Sequence, residues 1–368
     1  MMINDFQGER LRIARLFKGI SQADLARVVE TSRQYIHQIE IGAKSPSQDV
    51  LAALAEVLSV SSLFFYDPVL NAVKLEQCHF RKLRTSPAGA TRQALAHATL
   101  LESLTSVFDS KLELPEVDFP FFEASSFPEI ERIAEQCRKH WGLGLTKPVK
   151  NMTRVIERSG GIITHFGDLS EKVDAFSINR ARPIIVRNTA KGSACRLRFD
   201  LAHETGHFVM HQGIETGDVQ TEKEANHFAS AFLLPRLAFA AEFPKGSRMD
   251  WTTIYRMKLR WKVSVKAIIR RACDLGLIDA VAYRKGNIFL SKTGQSKHER
   301  YDDQISMEVP TLLEKSLKAL KDGFGIGTRE LSEILNVQND FTERLVGELI
   351  FEDDPSPPLP DNVIRLKV

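Results

Sequence analysis

The motif His203-Glu204-Thr205-Gly206-His207 constrains this 368-residue chain more than any other feature of its sequence. Residues four apart lie one turn apart on the same helix face, so His203 and His207 can reach one metal ion if the segment is helical. Glu204 lies beside them and could take a proton from water. Apolar residues flank the motif and indicate a buried helix: Phe199, Leu201, Ala202, Phe208, Val209 and Met210. The motif predicts a Zn²⁺ site with His203 and His207 as ligands and Glu204 as catalytic base.

A catalytic zinc site needs a third protein ligand and an open position. The downstream candidates are His211, Glu222, Glu224 and His227. At about 100° per residue, Glu222 falls on the apolar face of a helix predicted at 219–234, whereas Glu224 is turned away. A carboxylate on that face is costly unless it meets a cation, so Glu222 is the predicted third ligand, with Asn226 orienting a ligand. The alternative for Glu222 is a solvated residue near the helix start, where acids are favoured.

The first 66 residues predict a bundle of five short helices. Gly19 ends the first helix, Ser21 caps the second, and Thr31 or Ser32 caps the third. Two short helices joined by a tight turn have the geometry of a helix-turn-helix. The predicted DNA contacts lie at the start of the third helix and in the following loop: Ser32, Arg33, Gln34, Tyr35, His37, Gln38 and Lys44. Because residues 1–66 contain seven basic and seven acidic residues, a bundle used only for protein contacts is the alternative.

Composition and charge exclude several classes of protein. The chain has 50 Lys and Arg against 47 Asp and Glu, so it is no polycation. No apolar run approaches the ~18 residues of a membrane span, and the N-terminus does not read as a secretory signal. The four scattered cysteines form no C-x-x-C pair, so a cytoplasmic location is expected. Residues 245–271 contain nine basic residues and one acid, which predicts either a positive docking surface or a solvated helix face.

The order of segments predicts a multidomain protein. We expect an all-α helix-turn-helix domain at 1–68, a helical connector at 69–145, an α+β domain at 146–295 and a helical C-terminal region at 296–368. Within the third segment, residues 162–166 and 183–186 are strand-like, and helices are predicted at 195–212, 219–234 and 251–275. The C-terminal region ends in a proline-rich acidic tail at 353–360.

Two stretches of the chain resemble known families. R198-F-D-L-A-H-E-T-G-H-F-V-M-H, followed by E222-K-E-A-N-H-F-A-S-A-F-L-L-P, resembles the ImmA/IrrE metallopeptidases, and the likeness extends over about 155–290. S21-Q-A-D-L-A-R-V-V, followed by S32-R-Q-Y-I-H-Q-I-E-I-G-A-K-S-P, resembles the Cro/CI-type (XRE) helix-turn-helix domain over residues 8–66. The usual leucine of the metallopeptidase motif is Thr205 here, which should not affect a metal.

The first resemblance implies a gluzincin-like zinc site that cleaves a helix-turn-helix repressor and relieves repression of mobile-element or stress genes. His203, His207 and Glu222 match its zinc ligands, and Glu204 matches its base. The sequence does not assign a residue that would stabilise an oxyanion. Tyr255 and His165 are only guesses for that role.

Together these features predict a transcriptional regulator that binds double-stranded operator DNA as a homodimer. Its zinc endopeptidase domain would cleave a repressor or another regulatory protein in mobile-element, stress or toxin–antitoxin control. The alternative is a non-proteolytic helix-turn-helix repressor or antitoxin-like regulator, in which the zinc domain senses a signal or binds a partner.

Overall fold

The computed structural model describes residues 5–68, 72–74, 77–80, 88–165, 176–187, 193–214, 216–246, 249–347 and 364–365. The helices are α1 Gly8–Phe17, α2 Gln22–Val28, α3 Arg33–Glu40, α4 Gln48–Leu58, α5 Ala88–Lys111, α6 Phe127–His140, α7 Met152–Arg158, α8 Ala194–Met210, α9 Val219–Leu233, α10 Arg236–Glu242, α11 Trp251–Trp261, α12 Val265–Asp274, α13 Ala280–Lys292, α14 Leu312–Phe324, α15 Thr328–Ile334 and α16 Asn339–Val346. The strands are β1 Cys78–Phe80, β2 Leu112–Glu113, β3 Ile162–His165, β4 Phe176–Ile178, β5 Ile184–Arg187 and β6 Ile364–Arg365. The proline-rich tail predicted at 353–360 lies outside the described residues.

Serine side chains begin three helices of the N-terminal bundle. Ser21 Oγ accepts a hydrogen bond from the Asp24 amide, and Ser32 Oγ accepts one from the Tyr35 amide, as the capping pattern predicts. Ser47 does the same for α4. Inside the bundle, a buried ion pair between Arg15 and Glu40 joins α1 to α3. The N-terminal segment is therefore a helix-turn-helix bundle.

The predicted helix at 251–275 is wrong as one element, because the chain forms two helices there. Lys262 adopts a left-handed conformation with φ 54°, which ends α11. Ser264 then caps α12 by accepting a hydrogen bond from the Ala267 amide. The apolar periodicity continues across the break, so periodicity alone does not reveal it.

A four-stranded mixed sheet has the order β1-β4-β5-β3. β4 pairs antiparallel with both β1 and β5, and β3 pairs parallel with β5. Successive residues of a strand point to opposite faces, and here the two faces belong to different cores. Ile184 and Val186 of β5 pack into one core, and Ile185 between them packs into the other.

The first core, called the HTH core here, combines α1–α5 with α14–α16 and one face of the sheet. It includes Phe17, Leu54, Leu104, Leu317 and Phe341. The second, called the HExxH core, lies between the other sheet face and α6–α13. It includes Ile133, Ile156, Phe208, Phe228 and Trp261. The predicted connector is thus shared, since α5 packs in the HTH core and α6 in the HExxH core.

Within the described residues, α15 and α16 repeat the helix lengths and the left-handed turn residue of α2 and α3. α2 and α3 have seven and eight residues, and residues 29–32 join them with Glu30 at φ 51°. α15 and α16 also have seven and eight residues, and residues 335–338 join them with Asn336 at φ 56°. The second pair packs on the first bundle, where Lys18 Nζ lies 3.0 Å from an Asp340 carboxylate oxygen.

Candidate functional site

Close packing of α8 on α9 builds the candidate metal site. Gly206 makes this approach possible, because a Cβ atom there would lie 3.0 Å from the Phe228 ring and 3.3 Å from Ala225 Cα. His203, Glu204 and His207 lie in the buried part of α8, as the motif predicts, and Glu222 reaches them from the first turn of α9.

Three candidate ligand atoms converge between the two helices. The Nε2 atoms of His203 and His207 are 3.1 Å apart, and the Glu222 carboxylate oxygens lie 3.5 Å and 3.4 Å from them. Ligands at about 2.0–2.1 Å around a tetrahedral zinc are separated by roughly 3.3 Å, so this donor set fits the ion. Glu222 Oε1 is buried without a hydrogen-bond partner among the described residues, which also fits a cation between these side chains.

Asn226 fixes the orientation of His203. The Asn226 amide nitrogen donates to the Glu222 carbonyl oxygen at 2.7 Å, so its Oδ1 is free to accept from His203 Nδ1 at 3.2 Å. A proton held on Nδ1 leaves the lone pair of His203 Nε2 for a metal. The predicted orienting role of Asn226 depends on this contact.

His211 and Glu224 lie behind His207 rather than among the three converging atoms. His211 Nδ1 is 2.9 Å from His207 Nδ1, and His211 Nε2 is 2.9 Å from a Glu224 carboxylate oxygen. This chain can hold the His207 proton on Nδ1 and leave its Nε2 for a metal. The fourth candidate, His227, stacks on Phe127 and lies 2.9 Å from Glu131 of α6.

Glu204 is held by the sheet. Its side chain accepts a hydrogen bond from the Ser177 hydroxyl on β4. His203, Glu204 and His207 are each at most 1% exposed. Burial is the main cause that lowers the pKa of His207 well below its usual value, so its imidazole is neutral and able to bind a metal.

His79 on β1 also belongs to this site, and sequence reasoning missed it. It lies opposite Ser177 in the strand register, and its ring stacks on His207 with centroids 4.6 Å apart. Burial, followed by the charges of His211 and His203, lowers the pKa of His79 to about 3 against the opposing effect of Glu222. β1 has three residues, too few for a visible alternation, so the sequence gives no signal for its placement.

The two oxyanion candidates named from the sequence lie elsewhere. The Tyr255 hydroxyl donates to Gln295 Oε1 at 2.8 Å inside the HExxH core. His165 ends β3, which is at the opposite edge of the sheet from β1.

The predicted DNA contacts all lie on α3 and its flanking residues. Ser32, Arg33, Gln34, His37 and Lys44 are exposed, and Tyr35 and Gln38 are half-buried. The Ser32 side chain is engaged in capping, and Tyr35 donates its hydroxyl to the Ser45 carbonyl at 3.4 Å. Arg33, Gln34 and His37 therefore offer the free polar face of the helix.

Four of the nine basic residues in the stretch 245–271 pair with neighbouring acids. Lys258 is buried between Glu299 and Asp302, and Arg271 is buried against Glu131. Arg260 pairs with Glu242, and Arg270 pairs with Asp274. These acids lie outside the stretch or just beyond its end and reduce its positive charge, while the positive docking surface and the solvated helix face both stay predictions.

Comparisons with known proteins agree with both halves of the chain. Residues 157–272 match the family model of the IrrE N-terminal-like domain, and residues 11–65 match a helix-turn-helix family model. The chain thus combines a range that matches a helix-turn-helix family with a range that matches the IrrE N-terminal-like family. The IrrE N-terminal-like domain contains α8 and α9 with all three candidate ligands, whereas β1 lies outside both matched ranges. This family suggests a metallopeptidase-like domain.

Two solved structures of ComR match the chain at low score. ComR from S. thermophilus, solved with DNA and its signalling peptide ComS, is 14% identical with a TM-score of 0.17, and the match covers 81% of this chain and 97% of that one. ComR from Streptococcus suis is 9% identical with a TM-score of 0.16, and the match covers 94% and 87%. No curated protein matches the chain. Among the described helices, none is both long and apolar enough to cross a membrane.

Proposed function

We propose that the protein is a DNA-binding transcriptional regulator whose IrrE N-terminal-like domain is a gluzincin-like zinc endopeptidase. Convergence of His203, His207 and Glu222 beside Glu204 is the observation that carries this proposal. Its substrate would be a repressor or another regulatory protein in mobile-element, stress or toxin–antitoxin control. We further propose that it acts in the cytoplasm as a homodimer on operator DNA, with α3 in the major groove.

His203, His207 and Glu222 would hold the zinc. When bound, the ion would polarise the scissile carbonyl and lower the pKa of water to about 7. Glu204 would take the proton of the attacking water and pass it to the leaving amine. The Ser177 hydroxyl would keep the Glu204 carboxylate in place for both transfers. Asn226 and His211 would orient the two imidazoles through their Nδ1 atoms.

A non-proteolytic regulator is the second candidate, and the burial of the site favours it. His203, Glu204 and His207 are at most 1% exposed, and β1 lies against them. An extended peptide would have to displace part of this cover to reach Glu204. In the second candidate, the zinc domain senses a signal or binds a partner without cleaving it.

The substitution Glu204→Gln separates these candidates. Zinc-loaded protein is incubated with repressors or with the products of neighbouring genes, and fragments are identified by mass spectrometry. We expect wild type to produce fragments and Glu204→Gln to slow their release by about 10²–10⁴-fold, while zinc content and operator binding are unchanged. Glu314→Gln serves as control, because it is the same substitution at an exposed residue of α14. If Glu204→Gln relieves repression as well as wild type, the endopeptidase proposal is wrong and the second candidate stands.

A further inference from the structure

We propose that His79 is a catalytic residue of this site, and that its Nε2 donates a hydrogen bond to the carbonyl or carboxylate oxygen of the bound substrate. The inference rests on the proposed function in that His203, His207 and Glu222 bind a metal. It adds a residue that comes from outside the IrrE N-terminal-like domain.

The strand register places His79 over the metal ligands. β1 pairs antiparallel with β4, so that His79 lies opposite Ser177. Ser177 contacts Glu204, and His79 stacks on His207 with an interplanar angle of 7°. The neighbouring Cys78 points to the opposite face and packs in the HTH core. The pairing of β1 with β4 thus brings two polar side chains to one site, one against the base and one against a ligand.

One nitrogen of His79 has no partner. Its Nδ1 lies 2.5 Å from the Thr216 hydroxyl, whereas its Nε2 is buried without a hydrogen-bond partner among the described residues. Leaving a buried polar atom unpaired is costly, and such atoms are few in native proteins. The role proposed for His79 requires the tautomer in which the Thr216 hydroxyl donates to Nδ1, because Nε2 then carries the proton and can donate. In that tautomer the missing partner is a hydrogen-bond acceptor.

The chemistry of the surrounding groups also calls for a donor. The carboxylates of Glu204 and Glu222 are acceptors, and the Nε2 atoms of His203 and His207 present lone pairs toward one another. The Ser177 hydroxyl is a donor, but it is engaged by Glu204. A substrate oxygen that gains negative charge is stabilised by donors already in place. His79 is placed to supply one.

During hydrolysis the water oxygen forms a bond to the carbonyl carbon, and the carbonyl oxygen gains the negative charge. That oxygen would accept the hydrogen bond from His79 while Glu204 holds the proton taken from water. When the C–N bond breaks, the oxygen returns to a carbonyl form and Glu204 passes the proton to the amine. His79 keeps its own proton throughout.

Binding of acetohydroxamate to the Co²⁺-loaded full chain tests this inference without requiring cleavage. Visible absorption of Co²⁺ reports both metal affinity and probe binding. His79→Phe keeps a ring against His207 but removes the donor, and His79→Gln keeps a donor. We expect His79→Phe to weaken acetohydroxamate binding about tenfold, His79→Gln to restore most of it, and Co²⁺ affinity to change little in either. On any peptide substrate that is cleaved, we expect His79→Phe to lower kcat by about 10²-fold.

Cys78→Ala is the matched control, because it disturbs the same strand on the face away from the site. It should leave acetohydroxamate affinity unchanged. Equal binding of the probe by wild type and His79→Phe would overturn the inference, as would a loss of Co²⁺ affinity in His79→Phe that accounts for the weaker probe binding. Probe binding that depends on His79 in a protein that cleaves none of its candidate partners would support the inference and refute the endopeptidase. Wild-type protein that binds no metal would refute both.

Discussion

The HExxH core takes its helical residues from one continuous stretch, 130–290, whereas the HTH core is assembled from helices that lie far apart in the chain. Phe17 of α1 packs on Phe341 of α16 with ring centroids 4.5 Å apart. Lys18 and Ser59 both bond to Asp340. The metal site thus depends on local packing of two adjacent helices, while the DNA-reading bundle depends on helices about three hundred residues downstream. The following changes test how independent the two cores are.

Loss of the candidate metal ligand His203 should have a large effect that is confined to the HExxH core. We expect His203→Ala to lower zinc affinity by more than about 100-fold. Loss of a residue that only hydrogen-bonds to a ligand lowers metal affinity by about 10–100-fold. Competition with a chromophoric chelator measures this, and His227→Ala is the control because His227 contacts Glu131 instead of the site. Operator affinity should be unchanged. A parallel loss of operator binding would show that the HTH core requires the metal.

Truncation of Phe341 should destabilise the HTH core. Its ring is fully buried against Phe17 and Phe64, so Phe341→Ala should lower the free energy of unfolding by about 3–5 kcal/mol. Urea unfolding followed by circular dichroism measures the change. Phe228→Ala, next to Gly206 in the HExxH core, is the reciprocal variant and should weaken zinc binding instead. If Phe341→Ala binds the operator as well as wild type at every temperature measured, packing of α16 on the bundle is not needed for DNA binding.

Acid should weaken the HTH core through His97. This residue is fully buried on α5, stacks on Phe17 and lies 3.0 Å from the Leu345 carbonyl oxygen. Burial lowers the pKa of His97 to about 4, with the Leu345 carbonyl opposing and Arg344 adding to the shift. Unfolded His97 titrates near 6.5, so the unfolded chain binds more protons between about pH 6.5 and 4.

Stability should therefore fall as pH drops through that window, by up to about 3 kcal/mol from His97, and this contribution should be constant above about pH 7. Urea unfolding at pH 7 and pH 4.5 measures the difference. His97→Gln removes the titrating group and should flatten part of the dependence. An identical pH dependence in wild type and His97→Gln would contradict the prediction.

The smallest expected effect is a change in operator affinity that distinguishes the pair α2 and α3 from the pair α15 and α16. Arg33 and Asn339 are the first residues of α3 and α16, but the first turn of α16 carries an acid, Asp340, whereas the first turn of α3 carries none. We expect Arg33→Ala to weaken operator binding by about 1–3 kcal/mol and Asn339→Ala to have no effect. Fluorescence anisotropy over a series of salt concentrations measures both. Equal losses would mean that both pairs contact DNA.

The convergence of the three candidate ligands could be predicted because the information for it is local. The spacing of His203 and His207 and the inward face that carries Glu222 depend only on helical geometry, and the structure brings these side chains together. The capping serines of the N-terminal bundle were readable for the same reason. The roles assigned to the site residues and to the DNA-facing residues, and the domain boundaries, stay predictions.

Contacts between distant segments could not be read from the sequence. Nothing in the pattern around Phe341 indicates that it packs on Phe17, because apolar periodicity gives a buried face without its partner. The pairing of β1 with β4 likewise joins two three-residue strands that lie far apart in the chain, so no local pattern indicates it. The ion pairs of 245–271 could not be predicted either, because Glu131 and Glu242 pair with two of its arginines from outside the stretch.

The alternation along β1 makes the length of this segment critical. Cys78 belongs to the HTH core and His79 to the metal site, and they are neighbours in the chain. Inserting one residue between Gln77 and Cys78 would exchange the two faces if the pairing with β4 is kept. An imidazole would then face the apolar core and a thiol would face His207. Chains of this type should therefore tolerate substitution at Cys78 far better than any change of length there.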